Sequence, residues 1–290
     1  MTLPAFELRQ PSTLAEALKI LSADPGAQPL AGGTCLLVDA RARKTRPEML
    51  VDLSRIAELR GVGRDGDTLV LGGATTIAEL LDSPLVEKHA PVLTAACRQF
   101  AAPLVRNRAT IGGNLVHASP AADTAPPLLV LEATIELQAH GATRSVPIDQ
   151  FFVGPCCSDR RPGELLVSVR IPVRGTDAHF AYEKVRLRKA DAISVVSAAA
   201  LIDPADGRAR LALGAVAPTP IRARAAEEIL AEDSLTTDAI DQAAREAARQ
   251  ARPIDDVRGS ADYRKREVEV LVRRCLSQLQ SAGGEESDGA

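Results

Sequence analysis

Tryptophan is absent from this chain of 290 residues, and with two tyrosines and five phenylalanines the aromatic share is 2%. A flat organic ligand would have to be held by backbone and aliphatic groups, not by a cage of rings. The five cysteines, Cys35, Cys97, Cys156, Cys157 and Cys275, are odd in number and scattered. No C-x-x-C pair occurs, and the vicinal Cys156-Cys157 makes a poor mutual disulfide, so no chain-borne metal site is expected. Also missing is any run of about 18 apolar residues, which argues against a membrane span. Positive charge has no surplus: 35 Lys and Arg against 38 Asp and Glu leave −3, which disfavours nucleic acid as a partner. Met1-Thr2-Leu3-Pro4-Ala5-Phe6 shows no basic segment before an apolar core, so no signal peptide is expected and the cytoplasm is the default.

What the chain does have is glycine in pairs. In Pro29-Leu30-Ala31-Gly32-Gly33-Thr34-Cys35-Leu36 an apolar segment runs into two glycines, a hydroxyl residue and then helical periodicity. Such a stretch offers backbone N–H groups and a helix N-terminus to a phosphate. A second pair lies in Ala109-Thr110-Ile111-Gly112-Gly113-Asn114-Leu115-Val116-His117, followed by Ala118-Ser119-Pro120-Ala121-Ala122-Asp123. Both pairs read as strand-to-loop turns, and both loops are expected to close on one diphosphate. A third pair, Gly72-Gly73, reads as a plain turn. Cys35 has no neighbouring His or Lys in sequence and reads as small and buried.

The length allows two domains. Thr13-Leu14-Ala15-Glu16 and Thr76-Ile77-Ala78-Glu79 have the capping-box spacing and predict helices, as does the run from Pro91 to Gln99. Strands are expected at 28–31, 49–53, 68–71, 134–139, 143–147 and 164–172. Gly61-Val62-Gly63-Arg64-Asp65-Gly66 spells a dinucleotide fingerprint but leads into a β-prone run, so it reads as a hairpin turning at Asp65-Gly66. Texture changes after Val173-Arg174-Gly175-Thr176-Asp177. Three β-rich runs, 178–187, 193–202 and 208–216, precede helices near 222–231, 237–250 and 263–280, an α+β layer with a meander covered on one face. The domains are thus 1–175 and 178–280, with 281–290 a disordered tail.

Ala31-Gly32-Gly33-Thr34-x-Leu36 with Thr110-Ile111-Gly112-Gly113-Asn114 and Ala118-Ser119-Pro120-x-x-Asp123 resembles the FAD-binding medium subunit of molybdenum hydroxylases. That family includes carbon monoxide dehydrogenase and xanthine dehydrogenase. The resemblance extends through Gly163-Glu164-Leu165-Leu166 before Ile171-Pro172 and the Lys184-to-Asp191-Ala192-Ile193 spacing, nearly the whole chain. It implies an α+β fold: a two-subdomain FAD-binding domain of the p-cresol methylhydroxylase type, then a small domain with a three-stranded antiparallel sheet and helices. It implies that residues 30–36 and 110–114 wrap the FAD diphosphate. By the same resemblance Phe100, Ala101, Ala109, Val116, His117, Ala122, Asp123, Val167 and Lys184 match cofactor-contacting positions. Two of these also have plain readings, Asp123 as a helix N-cap before Pro126 and Lys184 as a strand-surface lysine. His117 reads as packed or at the cofactor edge, since the family holds FAD without a covalent bond. No cysteine stands between Asn114 and Asp123, so an additional iron–sulfur cluster there is not expected. Arg106 and Arg108 either steady the diphosphate or face a partner chain.

The function implied is electron transfer within a multi-subunit molybdenum hydroxylase. Molybdopterin would sit on a large partner subunit and 2Fe-2S clusters on a small one, in a dimer of heterotrimers. This chain would pass electrons through FAD to NAD, a quinone or oxygen, and no residue of its own is singled out as catalytic. The rival reading is a self-contained flavin oxidoreductase on the same fold, of the alcohol oxidase or NADPH-dependent reductase type.

Overall fold

Three sheets of three or more strands follow one another in the computed structural model, which describes residues 2–175, 177–233 and 235–285. The first unit comprises β1 (Glu7–Arg9), α1 (Leu14–Ala23), β2 (Ala27–Leu30), α2 (Leu36–Arg41) and β3 (Met49–Asp52). Its strands are parallel, in the order β1-β3-β2. Helix α1 starts where the spacing predicts: Glu16 N donates to Thr13 Oγ1, and the Glu16 carboxylate accepts from Ser12 N. Its apolar stripe, Ala17, Leu18 and Leu21, packs with Val51 and Leu53. Parallel strands deliver the loops after their C-terminal ends to one edge. Those loops are the first glycine pair, after β2, and Leu53-Ser54, after β3.

The second unit opens with the hairpin β4 (Val62–Asp65) and β5 (Thr68–Gly72), which absorbs the misleading fingerprint. Asp65 pairs with Thr68 across Gly66-Asp67, so the turn lies one residue later than expected, with Gly66 at φ 56°. Six short helices follow: α3 (Ile77–Leu81), α4 (Pro84–His89), α5 (Pro91–Arg98), α6 (Pro103–Arg106), α7 (Ile111–His117) and α8 (Ala125–Val130). Helix α3 has the full capping box between Thr76 and Glu79. Helices α4 and α6, with six and four residues, are too short for periodicity to announce. Then come β6 (Thr134–Ala139), β7 (Ala142–Pro147), α9 (Ile148–Phe151), the small pair β8 (Phe152–Gly154) and β9 (Cys157–Ser158), and β10 (Leu165–Pro172). The antiparallel sheet runs β4-β5-β10-β6-β7.

The third unit holds β11 (His179–Val185), β12 (Val196–Asp203), β13 (Arg208–Gly214), β14 (Ile221–Arg222), α10 (Arg224–Asp233), α11 (Thr237–Gln250) and α12 (Ala261–Glu285). Two-residue β14 adds a fourth antiparallel strand to the three expected. This sheet is covered on both faces, not one. Tyr182, Ala199, Leu201 and Ala212 join the core of the second unit, while Ala181, Ala198, Ala200, Leu211 and Leu213 pack under the helices. Small alanines on both sides let β12 lie between two layers, a pattern that alternation alone does not reveal. Helix α12 continues through Ser281–Glu285, where a disordered tail was expected; residues 286–290 lie outside the described residues.

Polar contacts fix this sheet against the second unit. Glu132, at φ 55°, takes ion pairs from Arg174 at 2.5 Å and Arg210 at 3.0 Å. Arg222 reaches Leu129 O at 3.2 Å, and Ala215 N donates to Pro120 O at 2.7 Å. The segment 118–131 is thereby held between units, which matters for the site.

Candidate cofactor site

The two glycine pairs meet. A Cβ on Gly32 would stand 1.9 Å from Arg108 O and 3.1 Å from Ala109 Cα, so only hydrogen fits there. A Cβ on Gly113 would lie 4.0 Å from that of Ala31. Gly33 has φ 72°, in the left-handed region that glycine enters without strain.

Their chemistry differs, however. Among the described residues, no acceptor receives the backbone N–H of Gly32, Gly33, Thr34, Cys35 or Leu36. Five consecutive amides without partners on a largely half-buried loop form a nest suited to an anion. The second pair offers nothing of the kind. It lies in the first turn of α7, not in a strand-to-loop turn, and its amides are spent internally. Ile111 N donates to Thr75 O (3.0 Å), Gly112 N to Gly73 O (2.9 Å), Gly113 N to the N-cap Thr110 Oγ1 (3.1 Å) and Asn114 N to Thr110 O (2.9 Å). Thr110 as cap outweighs the β-prone look of Thr-Ile. Gly112 is glycine because its Cβ would meet Gly73 O at 2.6 Å, and Gly73 because its own would meet Leu166 O at 2.1 Å. Gly72-Gly73 is therefore a close crossing of three segments and more than a turn.

What α7 contributes is side chains. Asn114 Oδ1 accepts from Thr124 Oγ1 at 2.6 Å, which orients the carboxamide and leaves its NH2 group without a protein acceptor among the described residues. Val116 and His117 are half-buried on the last turn. Cys35 is exposed, contrary to the buried reading: it precedes α2 on the rim of the nest. Surrounding protein and the Asp39 carboxylate raise its thiol above the usual value.

A second cluster joins segments far apart in sequence. Lys184, on β11, has a side chain with no solvent exposure, so the surface reading fails. Its Nζ donates to Asp123 Oδ2 at 2.7 Å and to Gln99 O at 3.0 Å. Asp123 Oδ1 accepts from Ser194 Oγ at 2.5 Å. Burial pushes the Asp123 carboxyl up; Lys184, Ser194 and Arg186 pull the other way. Asp123 is no helix cap: Thr124 occupies that position and α8 has no side-chain cap bond. Gln99 leads into buried Phe100 and into Ala101, whose φ of 35° is unusual outside glycine. Arg106 secures this bend by donating to Phe100 O at 2.9 Å. Ala122 is buried beside Asp123. Ser194 went unnoticed in the sequence, where a lone serine inside the β-rich run 193–202 carries no signal.

Val167 is the extra residue of a β-bulge, since Leu166 and Ser168 face the consecutive residues Leu137 and Glu136. A bulge re-aims a side chain. Val167 O accepts from Gly73 N at 2.8 Å, and the side chain packs with Ala31 on the same small core. Leu30 ends β2 and Leu36 opens α2, framing the nest. Arg108 is exposed and lines a narrow cleft with Gly32, Ser54, Thr76 and Thr110.

A parallel α/β unit and an antiparallel unit meeting at a bare amide nest, closed by a third sheet that brings in a buried lysine, define the class: a flavin-nucleotide-binding subunit. The chain belongs to the FAD-binding family of molybdopterin dehydrogenases. The family described as FAD binding domain in molybdopterin dehydrogenase matches residues 4–174, and the CO dehydrogenase flavoprotein C-terminal domain matches 180–279. The carbon monoxide dehydrogenase medium chain of Hydrogenophaga pseudoflava is 34% identical over 277 residues, 94% of this chain and 96% of that one. A xanthine dehydrogenase FAD-binding subunit of Escherichia coli O157:H7 is 33% identical over 94% of this chain and 95% of its own length. In three dimensions the chain superposes on the H. pseudoflava carbon monoxide dehydrogenase lacking the Mo-pyranopterin moiety. That match has TM-score 0.93, 35% identity and coverage of 97% of this chain and 99% of that one.

Proposed function

We propose that this chain carries FAD in a multi-subunit molybdenum hydroxylase and passes electrons from a partner's iron–sulfur clusters to an external acceptor. The observation that carries the reading is the run of five unpartnered amides from Gly32 to Leu36, pressed against Arg108 and Ala109 by a glycine that admits no side chain. A diphosphate needs several hydrogen-bond donors, and a loop with this many open amides would supply them. Ala31, Gly32, Gly33, Thr34, Cys35 and Leu36 would cradle the diphosphate, with Leu30 and Ala109 behind them. The free NH2 of Asn114 and the bare face of Gly113 would border it, between Thr110, Ile111 and Gly112 on one side and Val116 and His117 on the other.

Phe100, Ala101, Ala122, Asp123, Val167 and Lys184 would line the rest of the cofactor. Lys184 spends two of its three N–H groups on Gln99 and Asp123 and has no exposed side-chain surface, so its part would be to hold the Asp123 carboxylate, which keeps 8% exposure, at the cofactor. When bound, FAD supplies the two-electron to one-electron conversion between acceptor and clusters; the protein supplies binding, orientation and exclusion of water.

Residues 1–175 would be the FAD-binding domain and 178–280 a second domain that closes the site through Lys184 and Ser194. The partners would be a large molybdopterin subunit and a small 2Fe-2S subunit, in a dimer of heterotrimers in the cytoplasm. The self-contained oxidoreductase is disfavoured, because the relatives matched over nearly their whole length are medium chains and FAD-binding subunits. The test is purification of the chain alone and with its partners. Alone it is expected to be yellow, with near-stoichiometric FAD, and unable to hydroxylate. Hydroxylation by the single polypeptide, or no affinity for FAD, would overturn the reading.

A further inference from the structure

Two loops of the third unit end in bare aliphatic side chains. One, residues 186–194, joins β11 to β12; the other, residues 252–260, leads into α12. Leu187 is 66% exposed and Ile193 65% on the first, Ile254 68% and Val257 99% on the second. The loops are neighbours at their bases. Arg258 Nη1 donates to Ser194 O at 2.9 Å, and a Cβ on Gly259 would lie 3.7 Å from Val195 Cγ1. Ile193 and Val257 each stand one residue from that hydrogen bond, so both loops present their aliphatic groups on a shared edge. Their roots are firm. Val195 N donates to Val185 O at 2.9 Å across the first loop, and Arg258 grips Asp256 at 2.6 Å in the second. Charges sort in the same way. The acids are engaged: Asp256 by Arg258 and Arg264, Asp255 by the N–H of Ala261 at 2.7 Å, and Asp191 by Arg188 at 3.7 Å. Lys189 and Arg252 are exposed and have no carboxylate partner among the described residues; Arg252 donates only to the carbonyls of Arg249 and Ala251.

From this we infer that the two loop tips dock the chain on the surface of an anionic lipid bilayer, the four aliphatic side chains entering the boundary between headgroups and acyl chains while Lys189 and Arg252 meet lipid phosphates. Aliphatic groups flanked by unpaired cations are what interfacial attachment requires. A protein partner would ask for something else. The cores of protein interfaces are rich in aromatic residues, Met and Arg and poor in Lys, and Leu and Val seldom anchor them. Here the exposed groups are Leu, Ile and Val beside a free Lys. Val257, at 99% exposure, projects from the surface and lines no groove. No helix among the described residues is long and apolar enough to cross a membrane, so the attachment is peripheral. Four side chains and two cations make it reversible and salt-sensitive. The first loop roots beside Asp123, whose Oδ1 takes the Ser194 hydroxyl at 2.5 Å. Docking would therefore bring an acceptor dissolved in lipid to the Asp123 end of the cofactor, a consequence that rests on the proposed FAD site; the docking itself does not.

The test is flotation of the full chain, alone and in its complex, with vesicles of phosphatidylcholine and with vesicles mixing it equally with phosphatidylglycerol. Both forms are expected to float with the mixed vesicles, and far less with the neutral ones or in about 1 M salt, where charges are screened within about 3 Å. Replacing Ile254→Ser and Val257→Ser together is expected to weaken partition about ten-fold or more, from the apolar surface no longer taken out of water. Lys189→Gln is expected to cost about five-fold on mixed vesicles and nothing on neutral ones. All three side chains are exposed, so melting temperature and FAD content are expected to stay at wild type. The chain has no tryptophan, so Val257→Trp supplies a lone reporter, whose emission is expected to shift to the blue on mixed vesicles. No flotation of either form, or flotation unchanged in the double serine variant, overturns the inference. So does a chain that floats alone but not in its complex, or a double variant that no longer co-purifies with its partners, since either result assigns this face to a partner subunit. A chain that floats but takes up no FAD overturns the proposed function and leaves the docking standing, so the two failures are told apart.

Discussion

Substituting the two glycines that look alike in sequence should have opposite physical consequences. In Gly32→Ala the new methyl would stand 1.9 Å from Arg108 O where ordinary contact begins at 3.4 Å, so loop and segment must part by about 1.5 Å. The obstacle is a backbone carbonyl that cannot rotate away, and the cost falls at the upper end of overpacking, about 3 kcal/mol. In Gly113→Ala the methyl meets Thr110 Oγ1 at 2.8 Å, a hydroxyl that can turn aside. Alanine gains roughly 0.5–1 kcal/mol over glycine inside a helix, and weakening the Thr110 cap costs about 1 kcal/mol, so the fold is left near neutral. A glycine kept on the exposed side of a helix at that disadvantage is explained if its bare face must admit a ligand. Gly113→Ala should therefore be stable but bind FAD about ten-fold or more weakly, by overpacking at the ligand face. Gly32→Ala should lose both stability and FAD. Urea unfolding of the FAD-free chains and FAD titration separate the two. Equal destabilisation by both, or wild-type FAD affinity in Gly113→Ala, would refute the distinction between an amide nest and a bare helix face.

Other outcomes follow from the same contacts. Lys184→Met leaves the Asp123 carboxylate buried without its cation and should cost about 3–5 kcal/mol in urea unfolding near neutral pH. Burial raises the Asp123 carboxyl, so the deficit should shrink as pH falls and the group takes a proton; a pH-independent deficit would count against the pair. Maleimide should label Cys35, Cys156 and Cys157 in the FAD-free chain and spare buried Cys97 and Cys275, with FAD slowing Cys35. Unchanged labelling of Cys35 in the FAD-loaded chain would place the diphosphate elsewhere. Acid should destabilise the fold through carboxyls held below their usual range. Asp256 is held down chiefly by its hydrogen bonds with Arg258, and then by Arg264; burial would raise Glu164, but Arg144 and the Arg161 amide overcome it. Folded values below unfolded ones mean stability is intact above about pH 4 and is lost as pH falls through the folded values. Asp256→Asn should flatten that loss in acid titration, and an unaltered acid limb would refute the assignment.

Residues whose role is local were legible in the sequence, and those whose role depends on long-range contact were not. Thr13 and Thr76 announce their helices because a cap bonds within four residues. The Gly66 hairpin could be told from a dinucleotide loop because strand and turn chemistry lie side by side. Gly112-Gly113 misled because the cause of those glycines is a carbonyl on another segment, that of Gly73, and the local pattern looks the same whether amides face a ligand or a Thr cap. Cys35 misled in the same way, since exposure is a property of what fails to cover it. Family resemblance pointed to Asp123 and Lys184, but no pattern joins positions 61 apart in the chain, and Ser194 is 71 away. The first two sheets carry the pieces that sequence can show. Their meeting with the third sheet, where Gln99, Asp123, Lys184 and Ser194 converge, is set by the alanine-lined β12 lying between two cores. If that docking creates the flavin half of the site, a bulky residue at Ala199 or Ala212 should weaken FAD binding without touching the nest. A wild-type FAD affinity in an Ala199→Leu chain that still folds would show that the third sheet covers the site without building it.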